Sequence, residues 1–241
     1  MITSTGSPGA APGTAEVRTP ADAAPVPRKP LLRGALHAVA FPAALVAGLV
    51  LVALGPTQQA RLAAAIYTLT SVLMFGVSAI YHRGRPSPRL TEVLRRFDHA
   101  NIYLIIAGTY TPLALLALDG VTRDVVLSVV WAGAALGVIF RTVWISAPRW
   151  LYVSLYIALG WVAVFVMPQL ADGAGVETCV LLAAGGVLYS AGAVVYGLRR
   201  PNPSPRWFGF HEVFHSFTLA AYVAQFVAVS LVVYRAGQGV S

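Results

Sequence analysis

Charge is scarce in this chain. Of its 241 residues 11% are charged and 57% hydrophobic, whereas a soluble domain carries about 25% charged residues. A soluble enzyme built on one large core is thereby excluded, and a mean hydropathy of +0.71 places the chain in a membrane. Cysteine is nearly absent. Cys179 stands alone in an apolar stretch, so neither an intrachain disulfide nor a cysteine-based metal site can form, and a small packing residue is its expected role. The first 30 residues hold no apolar run and are rich in Ala, Pro, Thr, Ser and Gly. That composition argues against a signal peptide and predicts a disordered tail over 1–30, followed by one membrane domain over 31–241. No internal repeat is evident. The formal net charge of +8 would suggest a nucleic-acid partner in a soluble chain. Here its placement along the chain matters more than its sum, and no such partner is expected.

What is present is a series of long apolar segments. Stretches free of Asp, Glu, Lys and Arg cover 34–60, 62–82, 99–118, 125–140, 150–171, 178–198 and 213–234. A spanning helix needs roughly 20 apolar residues. Six segments qualify outright, and the fourth is extended by Val121, Thr122 and the aliphatic stem of Arg141. The expected fold is all-α, a polytopic bundle of seven transmembrane helices. Of the 17 basic residues, 14 fall in the tail and in the second, fourth and sixth connections; the other side holds only Arg61, Arg123 and Arg235. By the positive-inside rule the N-terminus is cytoplasmic and Ser241 lies outside. Pro42 and Pro112 sit inside spans and predict kinks; Thr109 and Thr111 offer hydroxyls to the carbonyls that Pro112 frees.

The chemistry-bearing residues gather at one level. His211 and His215, four apart, lie on one face of the last segment about one turn from each other. His82 closes the second segment. Histidine is costly in a bilayer, which makes a cluster there a functional hypothesis, and three imidazoles with an open position are the ligand set of a catalytic zinc. On the topology above, His82, His211, His215, His37, His99 and Asp98 all fall at the cytoplasmic end. Asp98 is placed to cap the third helix. His37 and His99 read as structural or supporting residues. Ser78 stands one turn before His82 on the same face. It either bonds back to a helix carbonyl or offers its hydroxyl to the site. His211-Glu212-x-x-His215 also matches the HExxH pattern of zinc proteases. In intramembrane metalloproteases an acidic ligand follows from a later helix; here the motif opens the final one. Leu118-Asp119-Gly120 falls at the outer face, a full bilayer away. Glu212 points roughly 100° around the helix from His211, either towards a histidine as a hydrogen-bond partner or into solvent.

Three blocks in this order resemble the hemolysin III family, the bacterial branch of the progestin and adipoQ receptor family: Ser78-x-x-x-His82, Asp98-His99-Ala100-Asn101-Ile102-Tyr103 running into Ala107-Gly108-Thr109-Tyr110-Thr111-Pro112, and His211-x-x-x-His215. The resemblance covers roughly residues 31–235. It implies Zn2+ bound by His82, His211 and His215 near the cytoplasmic face, Asp98 in contact with the zinc-bound water, and Ser78 beside the site. The family sits with alkaline ceramidases in a wider group of presumed membrane metal hydrolases, which suggests lipid-amide hydrolysis. One block departs. The family's Glu and Asn ahead of the first helix are missing, and only Arg33, Gly34 and His37 stand there. The name hemolysin reflects cytolysis attributed to a family member; nothing in this sequence looks like a secreted pore-former.

The resulting expectation is a zinc-dependent hydrolase of a lipid amide or ester. The metal supplies a water with a pKa near about 7, Asp98 accepts its proton and returns it to the leaving amine, and Ser78 assists in stabilising the oxyanion. An acyl chain of a membrane lipid lies in an apolar cavity between the helices. The alternative is a non-enzymatic receptor-like or envelope-associated protein in which zinc is structural. A transporter is disfavoured, because matched halves with broken helices are not present.

Overall fold

A computed structural model describes residues 30–237; the expected tail, apart from Pro30, and Ser241 lie outside them. The described residues form α1 (Ala35–Leu54), α2 (Gln58–Arg83), α3 (Pro88–Ala117), α4 (Gly120–Val143), α5 (Arg149–Gly160), a 3-10 segment (Trp161–Val166), α6 (Met167–Ala174), α7 (Val176–Leu198) and α8 (Phe210–Arg235). Seven helical stretches are long and apolar enough to cross a membrane, with α5, the 3-10 segment and α6 together making the fifth. The fold is the expected all-α bundle of seven spans. The fourth span extends beyond its charge-free core as anticipated.

Polarity is arranged for a lipid surround. Outward-facing Val39, Leu69, Leu136, Phe165 and Val187 are exposed, while Thr68, Ser71, Asn101, Thr109, Thr178 and Thr218 are buried. In water that distribution would be unfavourable; in a bilayer the exterior needs apolar side chains, and polar groups need partners inside. Most of the buried hydroxyls find one by bonding the carbonyl four residues back, as Thr68, Ser71, Thr109 and Thr178 do at 2.7–2.8 Å. Cys179 is buried and packs in the core beside Leu182, as its surroundings predicted.

Consecutive helices from α1 to α4 pack side by side, and α8 closes the bundle against α1, α2, α3 and α7. Gly108 sets the closeness of α2 and α3: a Cβ there would stand 2.0 Å from the Thr70 hydroxyl oxygen. Both prolines are accommodated within continuous helices. Thr109 and Thr111 do not serve the carbonyl that Pro112 frees. Their hydroxyls reach back to Ile105 and Ala107, because the hydroxyl's short arm fixes its reach at one turn. Thr111 also accepts the Trp131 indole N–H at 3.1 Å.

The third helix begins earlier than the charge pattern suggested. Ser87 caps it, accepting from the Leu90 N–H, and Pro88 is its first residue. Pro at the first position and Ser at the cap are favourable start signals. Asp98 is therefore no cap but an interior residue of α3. At 30 residues the helix is about 45 Å long, longer than the roughly 30 Å hydrocarbon core, so its Arg-bearing first turns extend towards the interface and Asp98 sits just inside.

Candidate metal centre

His82 occupies the last turn of α2, which ends at Gly84. His211 and His215 occupy the first two turns of α8. The start of α8 is fixed by side chains: the Gly209 N–H donates to Glu212 Oε2 at 2.8 Å and the Phe210 N–H to Asn202 Oδ1 at 2.9 Å. Two otherwise unanswered helix N–H groups are thereby satisfied, which holds the first turn, and His211 with it, in place.

The three imidazoles converge. One ligand nitrogen from each of His82, His211 and His215 lies within 4.8 Å of the others, and Nε2 of His82 is 3.1 Å from Nε2 of His211. Two tetrahedral zinc ligands at 2.0–2.1 Å stand about 3.3 Å apart, so the donor set and its spacing fit that ion. Asp98 borders the set on the His82 side, with Oδ2 3.7 Å from the His82 Nε2. Ser78 is buried and lines the same cavity as Asp98. The three histidines and Asp98 thus meet at one end of the bundle, and Ser78 lines the cavity beside them.

The remaining histidines take supporting places. The His37 ring lies flat on His215, with centroids 3.7 Å apart and planes 4° from parallel, and meets Phe75 edge-on. Both its nitrogens are buried without a hydrogen-bond partner, so its visible contacts are through its faces and edges. His99 turns to the other side of α3: Nδ1 lies 2.8 Å from the Arg95 carbonyl and Nε2 3.4 Å from the Tyr196 hydroxyl.

Glu212 departs from both orientations expected of it. It is 1% exposed and forms an ion pair with the Nε of Arg33 while capping α8. The cap is local, three residues from Gly209, and an acidic residue at that position of a helix start is its signal. The ion pair was not legible, because it joins residues 179 apart in sequence. The same holds for Gly34. Its φ of 74° and its position against His82, where a Cβ would stand 2.5 Å from the histidine's own Cβ, leave room for glycine alone. The segment before α1 is tied down further by the Leu31 and Leu32 N–H groups donating to the carbonyls of Arg206 and Trp207. In this chain Arg33, Gly34 and His37 therefore form a clasp over the histidines.

A long cavity leads from the centre into the bundle. Asp98, Ser78, His211 and His215 line one end, and Leu113, Met167, Leu182 and Gln225 lie further in. It is bounded mostly by apolar side chains, which suits a chain-like apolar ligand. The HExxH alternative gains nothing from this geometry. Glu212 is engaged elsewhere, and Asp119 lies beyond the far end of α3, about 30 Å along the helix from Asp98.

Comparison with known proteins identifies the family. A family model described as Haemolysin-III related matches residues 26–226, which include every residue of the centre. The chain is 31% identical over 175 residues to Hemolysin-3 of Bacillus cereus, covering 72% of this chain and 76% of that protein. It is 30% identical over 167 residues to the Hemolysin-3 homolog of Bacillus subtilis (strain 168), covering 68% and 74%. With seven apolar spans and this match over most of its length, the chain is a multi-pass membrane protein of the haemolysin III family.

Proposed function

We propose that the protein is a zinc-dependent hydrolase of a membrane lipid amide or ester, its zinc held by His82, His211 and His215 at the cytoplasmic end of the bundle. The observation that carries this reading is the convergence of three imidazoles, with a carboxylate beside them, at the mouth of a deep apolar cavity. A zinc ion in such a set supplies a water with its pKa lowered to about 7 and a Lewis acid for a carbonyl. Asp98 Oδ2 accepts a proton from the attacking water and delivers it to the leaving nitrogen or oxygen. Ser78 orients that carboxyl. His37, stacked on His215, holds the ring plane of a ligand that has no room to turn. The cavity receives the acyl chain and keeps bulk water from it. The cytoplasmic assignment rests on the 14 basic residues on the side of the tail.

A second reading, zinc as a structural tie between α2 and α8, draws on the 3.7 Å separation of His82 and Asp98. That distance is short enough for the carboxylate to complete a closed four-ligand site, the usual structural form. Asp98→Asn separates the two. As a hydrolase, the variant keeps its zinc and loses turnover of the lipid pool, measured by lipid profiling of a deletion strain complemented with each variant. As a structural tie, the variant loses metal affinity, and no lipid species differs between the deletion strain and the wild type.

A further inference from the structure

Arg141, near the end of α4, is 2% exposed. Its Nη1 donates to the carbonyls of Trp144 and Ile145 at 3.4 Å each, and its guanidinium carbon stands 4.3 Å from the centroid of the Tyr152 ring. Its Nε is buried without a partner. A buried cation with an unanswered N–H is costly unless an anion meets it. Three further arginines, Arg95, Arg149 and Arg199, line the same cleft, together with Ser146 and Tyr196, and no Asp or Glu lines it. Glu92 pairs with Arg95 and Arg96, which leaves Arg141, Arg149 and Arg199 without a carboxylate partner among the described ion pairs. Arg149 is held in place, stacked 4.9 Å over the Tyr196 ring and donating to the Tyr196 carbonyl. The cleft is separate from the candidate metal centre, since none of His82, His211 and His215 lines it. It does share His99, Tyr152 and Tyr196 with the apolar cavity.

We propose that this cleft binds a phosphate group, either that of a phospholipid headgroup or free inorganic phosphate. Planar guanidinium forks match phosphate oxygens two at a time, and the Arg141 Nε–H gains the acceptor it lacks. The cleft lies at the end of the bundle, at the level of headgroups, and one of its walls is a wall of the apolar cavity. The headgroup is accordingly the expected source.

The test uses the full chain in an uncharged detergent, with calorimetric titration of inorganic phosphate, dihexanoyl phosphatidylglycerol and phosphate-free dihexanoylglycerol. Phosphate and phosphatidylglycerol are expected to bind saturably. Each should weaken about tenfold or more in Arg149→Gln, the scale of one lost charge-assisted hydrogen bond, and remain unchanged in Arg123→Gln, at the opposite end of α4. Tighter binding of phosphatidylglycerol than of phosphate identifies the headgroup as the source; equal affinity identifies free phosphate; both support the site. Absence of saturable phosphate binding, or equal affinities in wild type and Arg149→Gln, overturns it. Should Arg149→Gln fail to fold, Arg199→Gln, at an exposed position, supplies the same comparison. Repeating the titration after chelator treatment keeps the outcome independent of the proposed zinc chemistry.

Discussion

Replacing Glu212 with glutamine removes one charge while leaving shape and one oxygen acceptor in place. The amide oxygen can still receive the Gly209 N–H, so the cap of α8 is retained. The ion pair with Arg33 is lost. A hydrogen bond to a charged group contributes about 1.5–3 kcal/mol. Arg33 is 19% exposed on its side chain while Glu212 is 1% exposed, so in the variant the guanidinium regains water and the loss should fall in the lower part of that range. For a chain of this size about 2 kcal/mol lowers the melting temperature by roughly 4–8 °C. Thermal unfolding of purified Glu212→Gln, with zinc measured on the same sample, reads both quantities. The expected result is a lower melting temperature with zinc stoichiometry and lipid turnover retained. Arg33→Gln should cost more, about 3–5 kcal/mol, because it leaves the buried Glu212 carboxylate without its cation, and the double variant much less than the sum of the two, since the partners act as one unit. Abolished turnover at unchanged stability would refute the reasoning and restore Glu212 as a catalytic base of the HExxH kind.

Gly34→Ala should be more damaging than its size suggests. The new methyl meets His82 at 2.5 Å on a backbone of φ 74°, a cost of about 1–3 kcal/mol, and metal content should fall with stability; an alanine variant with normal zinc content would show that the clasp does not position His82. Topology reporters fused at the two ends should place the N-terminus in the cytoplasm and Ser241 outside, because 14 of 17 basic residues lie on one side. A cytoplasmic C-terminus would overturn the membrane orientation assigned to the histidines.

The spans were legible because a bilayer imposes a length on each apolar segment, and charge marks the ends. The meeting of His82 with His211 and His215 was legible because an i, i+4 pair and the alternation of spans place all three at one level. The start of α3 was misjudged, since Arg89, Glu92, Arg95 and Arg96 break the charge-free run by which the spans were delimited, although Leu90, Val93, Leu94 and Phe97 recur at helical spacing. Arg141 was expected to contribute an aliphatic stem to its span; it is instead buried against Tyr152, where only the packing of α4 on α5 could place it. The Arg33–Glu212 pair, Gly34 against His82 and the His37–His215 stack all join the start of α1 to other helices. No local pattern encodes such contacts, and the departure of the first block from the family's Glu and Asn was the one sign that this corner is built differently here.

The central claim is a metal held by three histidines, and zinc content tests it most directly. Protein purified without added metal, in wild-type form and as His82→Ala, His211→Ala and Ser78→Ala, is assayed by inductively coupled plasma mass spectrometry. The account predicts close to one zinc per wild-type chain, loss of it in both histidine variants, and retention in Ser78→Ala. Wild-type protein without zinc that also fails to take it up on titration, or His82→Ala that binds as much as wild type, would contradict it.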